Sequence, residues 1–156
     1  MSTRNIYCID TSSIIEAWTR AYPRDHFPSV WERIERLIVD GRLRAPREVL
    51  DELERQEDGA HQWAKAQSGL VVPLNPVHAA EVQRIQEDFP YYNTEVGFSA
   101  GDPWVIALAK LYKYIVVTEE TSAPRKRKAK IPDVCDRYGI EHITVLELIR
   151  RENWIF

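Results

Sequence analysis

Short apolar runs alternate with amphipathic, helix-like segments along almost the whole chain, and this alternation constrains the fold more than any other feature. The apolar runs span residues 5–9, 43–45, 69–74, 114–118 and 140–144. Because a helix-like segment separates each run from the next, consecutive strands have crossover connections and lie parallel. The sequence therefore predicts an α/β protein with a central, mainly parallel sheet of about five strands, covered by helices on both faces. Its 156 residues fit a single domain, 1–156.

Several helix starts carry recognisable signals. Asp10 with the hydroxyl residues after it is typical of an N-cap that follows a strand directly. Proline opens helices at Pro28, Pro46 and Pro76. Asp102 and Pro103 begin a helix that is apolar all round, so this helix should be buried.

Composition excludes several classes of protein. The net charge of −3 gives no overall attraction to nucleic acid, and no apolar run approaches the roughly 18 residues of a membrane span. The first residues lead directly into a strand-like run, so we expect no signal peptide. Cys8 and Cys135 are isolated and the four histidines are dispersed. We therefore expect reduced thiols, no zinc site and a cytoplasmic protein.

Two acidic residues follow predicted strands. Asp10 comes directly after the first strand, and Glu120 lies two residues past Thr118, at the end of the most clearly strand-like run. In an open parallel sheet the crevice lies beyond the carboxyl ends of the strands, so both side chains should reach the same region. Taken singly, Asp10 is equally well explained as a helix cap and Glu120 as a surface acid.

Two further acids are candidates for the same region. Asp102 heads the buried helix, where a carboxylate is costly to desolvate without a cation, although it also serves as a cap. In the helix that follows Pro46, Glu52 lies at the flank of the apolar stripe, and Glu48, one turn earlier, is the reserve. Glu52 also fits an ordinary solvated acidic face.

One segment is strongly basic. Five of the six positions from 125 to 130 are cationic, namely Arg125, Lys126, Arg127, Lys128 and Lys130. Such a run is either a solvated loop or a segment that contacts nucleic-acid phosphates. Charge alone does not choose between the two.

Four short stretches appear in a recognisable order. They are residues 7–12, 48–53, 102–109 and 116–120, which read YCIDTS, EVLDEL, DPWVIALA and VVTEE. With this order the chain resembles the PIN domain, the fold of the VapC-type toxin ribonucleases and of several RNA-processing nucleases. The resemblance covers essentially the whole chain and implies a three-layer α/β/α fold.

The resemblance implies a metal-dependent endoribonuclease. Asp10, Glu52 and Asp102 fall on the main acids that bind Mg²⁺ or Mn²⁺ in the family, and Ser12 or Thr11 falls on the small hydroxyl residue beside the first acid. Glu120 stands where the family more often has Asp. Because Glu is one methylene longer, this difference affects the binding of a second ion more than that of the first. The resemblance also implies an RNA substrate, a homodimer and, for a toxin, an antitoxin protein that blocks the acidic crevice.

The partner and substrate contacts have candidates in the aromatic residues. Trp18, Trp31, Trp63 and Trp154 look exposed enough to contact a partner, and Tyr91, Tyr92 and Phe98 are able to stack on unpaired bases or to pack internally.

Three other functions remain open at this point. The first is a PIN-like module that binds RNA or protein without cutting, which Glu120 in place of Asp favours. The second is a phosphotransfer enzyme with Asp10 as nucleophile, which usually needs an acid two residues on, where this chain has Ser12. The third is an α/β scaffold in which all the acids are caps or surface groups.

Overall fold

The protein is built around a four-stranded parallel sheet. The computed structural model describes residues 4–89, 102–121 and 130–156. In sequence order the strands are β1 (Tyr7–Ile9), β2 (Leu43–Arg44), β3 (Ile115–Val117) and β4 (His142–Ile143). They are arranged β2-β1-β3-β4, and every strand pair is parallel. The predicted α/β class and parallel sheet are therefore confirmed.

Eight α-helices surround this sheet within the described residues. The first continues directly into a π-helical turn, Ala17–Ala21. The helices are α1 (Thr11–Glu16), α2 (Pro28–Val39), α3 (Arg47–Gln56), α4 (Asp58–Lys65), α5 (Pro76–Asp88), α6 (Asp102–Tyr112), α7 (Ile131–Tyr138) and α8 (Val145–Arg151). Not one of these described helices has the length and apolar character needed to cross a membrane.

The helix ends follow from the residues that cap them. The Asp10 side chain accepts a hydrogen bond from the Ser13 amide at the start of α1, as predicted. Thr144 and Glu147 form a reciprocal capping box at the start of α8. Gly139 ends α7 in the left-handed conformation, with φ of 69°, which glycine adopts at low cost.

The prediction of a fifth strand at 69–74 is wrong for the described chain. Only Val71 pairs there, in a single parallel bridge with Ala45, held by hydrogen bonds from the Ala45 amide to the Leu70 carbonyl and from the Val72 amide to the Ala45 carbonyl. The next residue, Pro73, has no amide to donate, so the ladder cannot continue.

The hydrophobic core lies against the central strands. All three residues of β1 and of β3 are buried, and successive side chains point to opposite faces of a strand, so both faces are covered. Helix α6 contacts both strands and is buried on most of its surface, as its apolar sequence predicted. Cys8 and Cys135 are free thiols within this core.

Two of the four tryptophans that were predicted to be exposed are core residues. Trp31 and Trp63 are buried and meet edge to face, with ring centroids 4.8 Å apart, while Trp18 and Trp154 are half-buried. The Trp31 Nε1 donates to the Tyr22 carbonyl. The prediction was wrong for this pair because both side chains lie on the apolar faces of their helices.

Candidate functional site

The carboxyl ends of the strands open onto a cleft of about 360 Å³. Three of the four predicted acids line it, and the fourth, Asp10, is buried and hydrogen-bonded to the lining residue Ser12. The lining residues are Thr11, Ser12, Ile15, Glu16, Glu52, Gln56, Asp102 and Glu120. The acids arrive there from different elements: Asp10 between β1 and α1, Glu52 on α3, Asp102 at the start of α6 and Glu120 just after β3.

Asp10 is held in a dense set of hydrogen bonds. It is 1% exposed. Its Oδ1 accepts from the Ser13 amide at 2.8 Å, and its Oδ2 accepts from the Thr118 hydroxyl at 2.5 Å. The Ser12 hydroxyl lies 3.0 and 2.9 Å from the two carboxylate oxygens, and Ser12 itself lines the cleft. Ser12, a hydroxyl residue predicted beside the first acid, and Thr118, which was not predicted as its partner, therefore orient Asp10.

The turn after β3 sends its two glutamates in different directions. The Glu119 carboxylate accepts from the Val145 amide and so caps α8. The Glu120 Oε2 accepts from the Ile131 amide at 3.1 Å, at the start of α7, while its other face lines the cleft. Glu120 is thus both a cleft residue and a contact to a helix end.

The electrostatics of the site raise the pKa values of two acids. Burial, together with the negative charge of Glu120, raises the pKa of Asp10 to about 6 against the lowering effect of its hydrogen bonds. Burial likewise raises the pKa of Glu120, with Glu52 acting in the same direction. The Ile131 amide, Lys130 and a hydrogen bond with the Asp102 side chain oppose that rise. A hydrogen bond between two carboxyl groups requires one proton between them, which a cation would replace.

The structure separates the two candidate acids of α3. Glu52 is 3% exposed and lines the acidic cleft. Glu48 lines a different groove, beside Val72 and Trp104. Burial raises the pKa of Glu48, so it is not an ordinary surface acid, but it does not line the acidic cleft.

Three lining residues of the cleft were not predicted from the sequence. Ile15, Glu16 and Gln56 line the cleft beside the acids. Their signal was spacing: Ile15 and Glu16 lie four residues after Thr11 and Ser12, and Gln56 lies four after Glu52. Residues four apart share a helix face.

The donors fit a hard divalent cation in kind. Carboxylate oxygens are the ligands that Mg²⁺ and Mn²⁺ prefer. The buried acids with raised pKa values are also what a site prepared for a cation presents. As the side chains are placed, no three His, Cys, Asp or Glu residues within 4–89, 102–121 and 130–156 form a finished metal site. A cation held by these residues would need the lining carboxylates to come closer together than they are placed here.

Part of the basic segment lies outside the described residues. Arg125, Lys126, Arg127 and Lys128 belong to that part, as do Tyr91, Tyr92 and Phe98. Lys130 is described; its amide donates to Asp133, and its charge lowers the pKa of Glu120.

The placement of Asp10 argues against phosphotransfer. A carboxylate that attacks phosphorus must present a free oxygen to its substrate. Both oxygens of Asp10 accept hydrogen bonds, and the side chain is almost fully buried. Asp10 is better suited to hold a cation or to cap a helix than to act as a nucleophile.

The comparisons with known proteins give one family. None of the curated proteins matches this chain. A family model described as a domain of unknown function, DUF4411, matches residues 7–156. That range contains all four acids and every lining residue of the cleft. The chain therefore belongs to the DUF4411 family.

Proposed function

We propose that this protein is a divalent-metal-dependent endoribonuclease with a PIN-like, three-layer α/β/α fold. One observation carries the proposal. Glu52, Asp102 and Glu120 come from separate parts of the chain to line one cleft at the carboxyl ends of the strands, Asp10 is hydrogen-bonded to the lining residue Ser12, and the pKa values of Asp10 and Glu120 are raised. A fold that gathers buried acids in this way needs a cation to stabilise them at neutral pH.

The reaction is hydrolysis of an RNA phosphodiester. Water attacks phosphorus, the bond to the 3′ oxygen breaks, and the leaving oxygen takes a proton. Bound Mg²⁺ or Mn²⁺ supplies Lewis-acid chemistry that activates water and offsets the charge building on the phosphate. Asp10, Glu52 and Asp102 would hold the principal ion, and Glu120 would contribute to a second ion or act through water.

The remaining residues orient these ligands and the substrate. Ser12 and Thr118 fix both oxygens of Asp10, so they position a ligand and take no part as nucleophiles. Lys130 lies near enough to Glu120 to lower its pKa, and with Arg125, Lys126, Arg127 and Lys128 we assign it to RNA phosphate contacts.

The biological setting belongs to the same proposal. The PIN-like order of motifs supports either the toxin of a toxin–antitoxin pair or an RNA-processing nuclease, acting in the cytoplasm as a homodimer. For a toxin, an antitoxin segment that covers the acidic cleft would inhibit the enzyme by excluding RNA from Glu52 and Asp102.

A second candidate function is a PIN-like module that binds RNA or protein without cutting it. The observation that favours it is the contact of Glu120 Oε2 with the Ile131 amide, since this contact occupies one carboxylate oxygen. Metal binding and cleavage separate the two functions, because the second predicts neither tight metal binding nor turnover.

The deciding experiment is cleavage of labelled single-stranded and structured RNA with Mn²⁺, Mg²⁺ or EDTA. Wild type is compared with Asp10→Asn, Asp102→Asn and the control Asp51→Asn, an exposed acid on α3. We expect metal-dependent cutting by wild type and the control, with activity at least about 100-fold lower in the two cleft variants.

Folding is checked in EDTA, so that loss of activity is not confused with loss of structure. Cutting that survives both cleft substitutions would remove the support for the metal site. No cutting by any form, with no thermal stabilisation by Mn²⁺, would favour the binding module.

A further inference from the structure

The cleft extends one helical turn beyond the acids. On α1, Glu16 lies four residues after Ser12, and on α3, Gln56 lies four residues after Glu52; all four line the cleft. One helical turn advances about 5.4 Å. Because α1 and α3 contact each other, their second turns form a joint wall next to the acids.

This second row has a different chemistry from the first. Ile15 offers a half-buried apolar surface, and the exposed Gln56 amide offers both donors and an acceptor. The charge of Glu16 is balanced by Arg20, whose Nε lies 3.1 Å from Glu16 Oε1. An apolar surface beside an amide matches the face and edge of a nucleobase.

The volume of the cleft limits the size of the ligand that it can hold. A cleft of about 360 Å³ is near the lower end of small-molecule sites and holds roughly one nucleotide. A phosphate at Glu52 and Asp102 would place the adjoining nucleoside over Ile15, within reach of Gln56. A base paired in a duplex has its Watson–Crick edge occupied, so the subsite selects single-stranded RNA.

We propose that Ile15, Glu16 and Gln56 form a nucleoside subsite beside the scissile phosphate, in which the Gln56 amide selects the base. The subsite rests on the proposed nuclease function, because the acids fix where the phosphate lies. Ile15 packs against the base, and the Glu16–Arg20 pair borders the mouth of the subsite.

The test measures binding separately from cutting. Fluorescence anisotropy gives the Kd of eight-nucleotide oligo(A), oligo(C) and oligo(U) RNAs, with Ca²⁺ in place of Mg²⁺. The proteins are wild type, Gln56→Leu and the control Gln62→Leu, an exposed glutamine on α4. We expect wild type and the control to prefer one base by about ten-fold, which is what one good amide–base contact provides. In Gln56→Leu the three affinities should converge to within about three-fold, with an unchanged thermal midpoint.

Each outcome decides the subsite. Equal binding of all three RNAs by wild type, an unchanged preference in Gln56→Leu, or no RNA binding at all would overturn it. Cleavage products are sequenced in parallel to test the nuclease separately. Metal-dependent cutting with an unaltered preference in Gln56→Leu keeps the nuclease and rejects the subsite. A preference lost in Gln56→Leu without any cutting keeps the subsite and rejects the nuclease.

Discussion

The two glutamates of α3 make a matched pair for testing the site at the residue scale. Glu52 lines the acidic cleft, whereas Glu48, one turn earlier, lines a separate groove. We expect Glu52→Gln to lower metal-dependent RNA cleavage by at least about 100-fold, since it removes a proposed ligand oxygen charge. Glu48→Gln should change the rate by less than about three-fold. The measurement is the cleavage rate against Mn²⁺ concentration for both variants.

Comparing the two variants separates a loss of activity at the site from a general effect on helix α3. Both substitutions remove one carboxylate from the same helix, so a shared effect on α3 would lower both rates together. Equal losses in the two variants would contradict the assignment of Glu52 to the site, and a loss confined to Glu48→Gln would reverse it.

Some site residues were predictable from sequence and others were not. Asp10 and Asp102 are marked by element boundaries, and Glu52 was chosen over Glu48 by its angle to the apolar stripe. Gln56 and Glu16 carry only a weaker signal, a spacing of four residues from Glu52 and from Ser12. Their importance appears only when α1 and α3 are in contact, which is a tertiary fact that one sequence does not encode locally.

At the element scale, the helices were easier to predict than the strands. Helix α2 begins at Pro28, as predicted, because caps and apolar periodicity act within a few residues. The run at 69–74 has strand-like composition, but a strand also needs a partner along its length, and Pro73 withdraws an amide from the ladder. The π-helical turn at Ala17–Ala21 had no sequence signal that we recognised.

Hydrogen bonds from Arg42 and Tyr7 to Glu152 connect the end of α8 to the amino-terminal ends of the strands, opposite the cleft. We call these three residues the clamp. Arg42 donates to both oxygens of Glu152 at 2.8 and 2.7 Å, and the Tyr7 hydroxyl donates to Glu152 at 2.6 Å. Burial alone would raise the pKa of Glu152, but these hydrogen bonds outweigh it and hold the pKa below its usual value. The clamp therefore contributes stability that is present at neutral pH and lost in acid.

Removing the arginine tests the clamp. Arg42→Met leaves the shielded Glu152 carboxylate without its bidentate partner, and we expect a loss of about 3 kcal/mol in the free energy of unfolding. Arg151→Met is the matched control, because Arg151, the last residue of α8, pairs with the more exposed Glu141, and losing this pair should cost less than about 1 kcal/mol. Urea unfolding at pH 7.5 measures both.

The clamp experiment also separates stability from activity. The clamp and the cleft are at opposite edges of the sheet, so cleavage per folded molecule should be unchanged in Arg42→Met. A loss of activity larger than the loss of folded protein would show that the two edges are coupled.

At the scale of the whole molecule, the amino-terminal ends of four helices and four acidic side chains lie together at the carboxyl ends of the strands. Helices α1, α6, α7 and α8 all begin beside the carboxyl ends of the strands, where Asp10, Asp102, Glu120 and Glu119 lie. The positive ends of helix dipoles offset part of the acidic charge. The compensation is incomplete, because the pKa values of Asp10 and Glu120 stay raised. In the metal-free protein, this edge therefore favours protonation of its acids.

This imbalance predicts an unusual dependence of global stability on pH. Burial raises the Asp10 pKa from 3.8 to about 6, so between those values the folded state holds a proton that the unfolded state has released. The free energy of unfolding in EDTA should therefore fall as pH rises from about 4 to 6 and then level off. Because this is a rise of about 2 in the pKa of Asp10, Asp10 changes the free energy of unfolding by at most about 3 kcal/mol. Paired acids such as Glu152 act in the opposite direction at lower pH, so the comparison needs a variant.

The variant is Asp10→Asn, which keeps the shape of the side chain and removes its titration. Urea unfolding of both proteins in EDTA at pH 5, 6 and 7.5 should give a difference that favours the wild type at pH 5 and shrinks or reverses by pH 7.5. The proposed site binds Mn²⁺ through ionised carboxylates, so Mn²⁺ should stabilise the wild type more at pH 7.5 than at pH 5 and the variant little at either pH. If the free energies of unfolding of the two proteins ran parallel against pH in EDTA, burial would not raise the pKa of Asp10. Equal stabilisation of both proteins by Mn²⁺ would place the ion elsewhere.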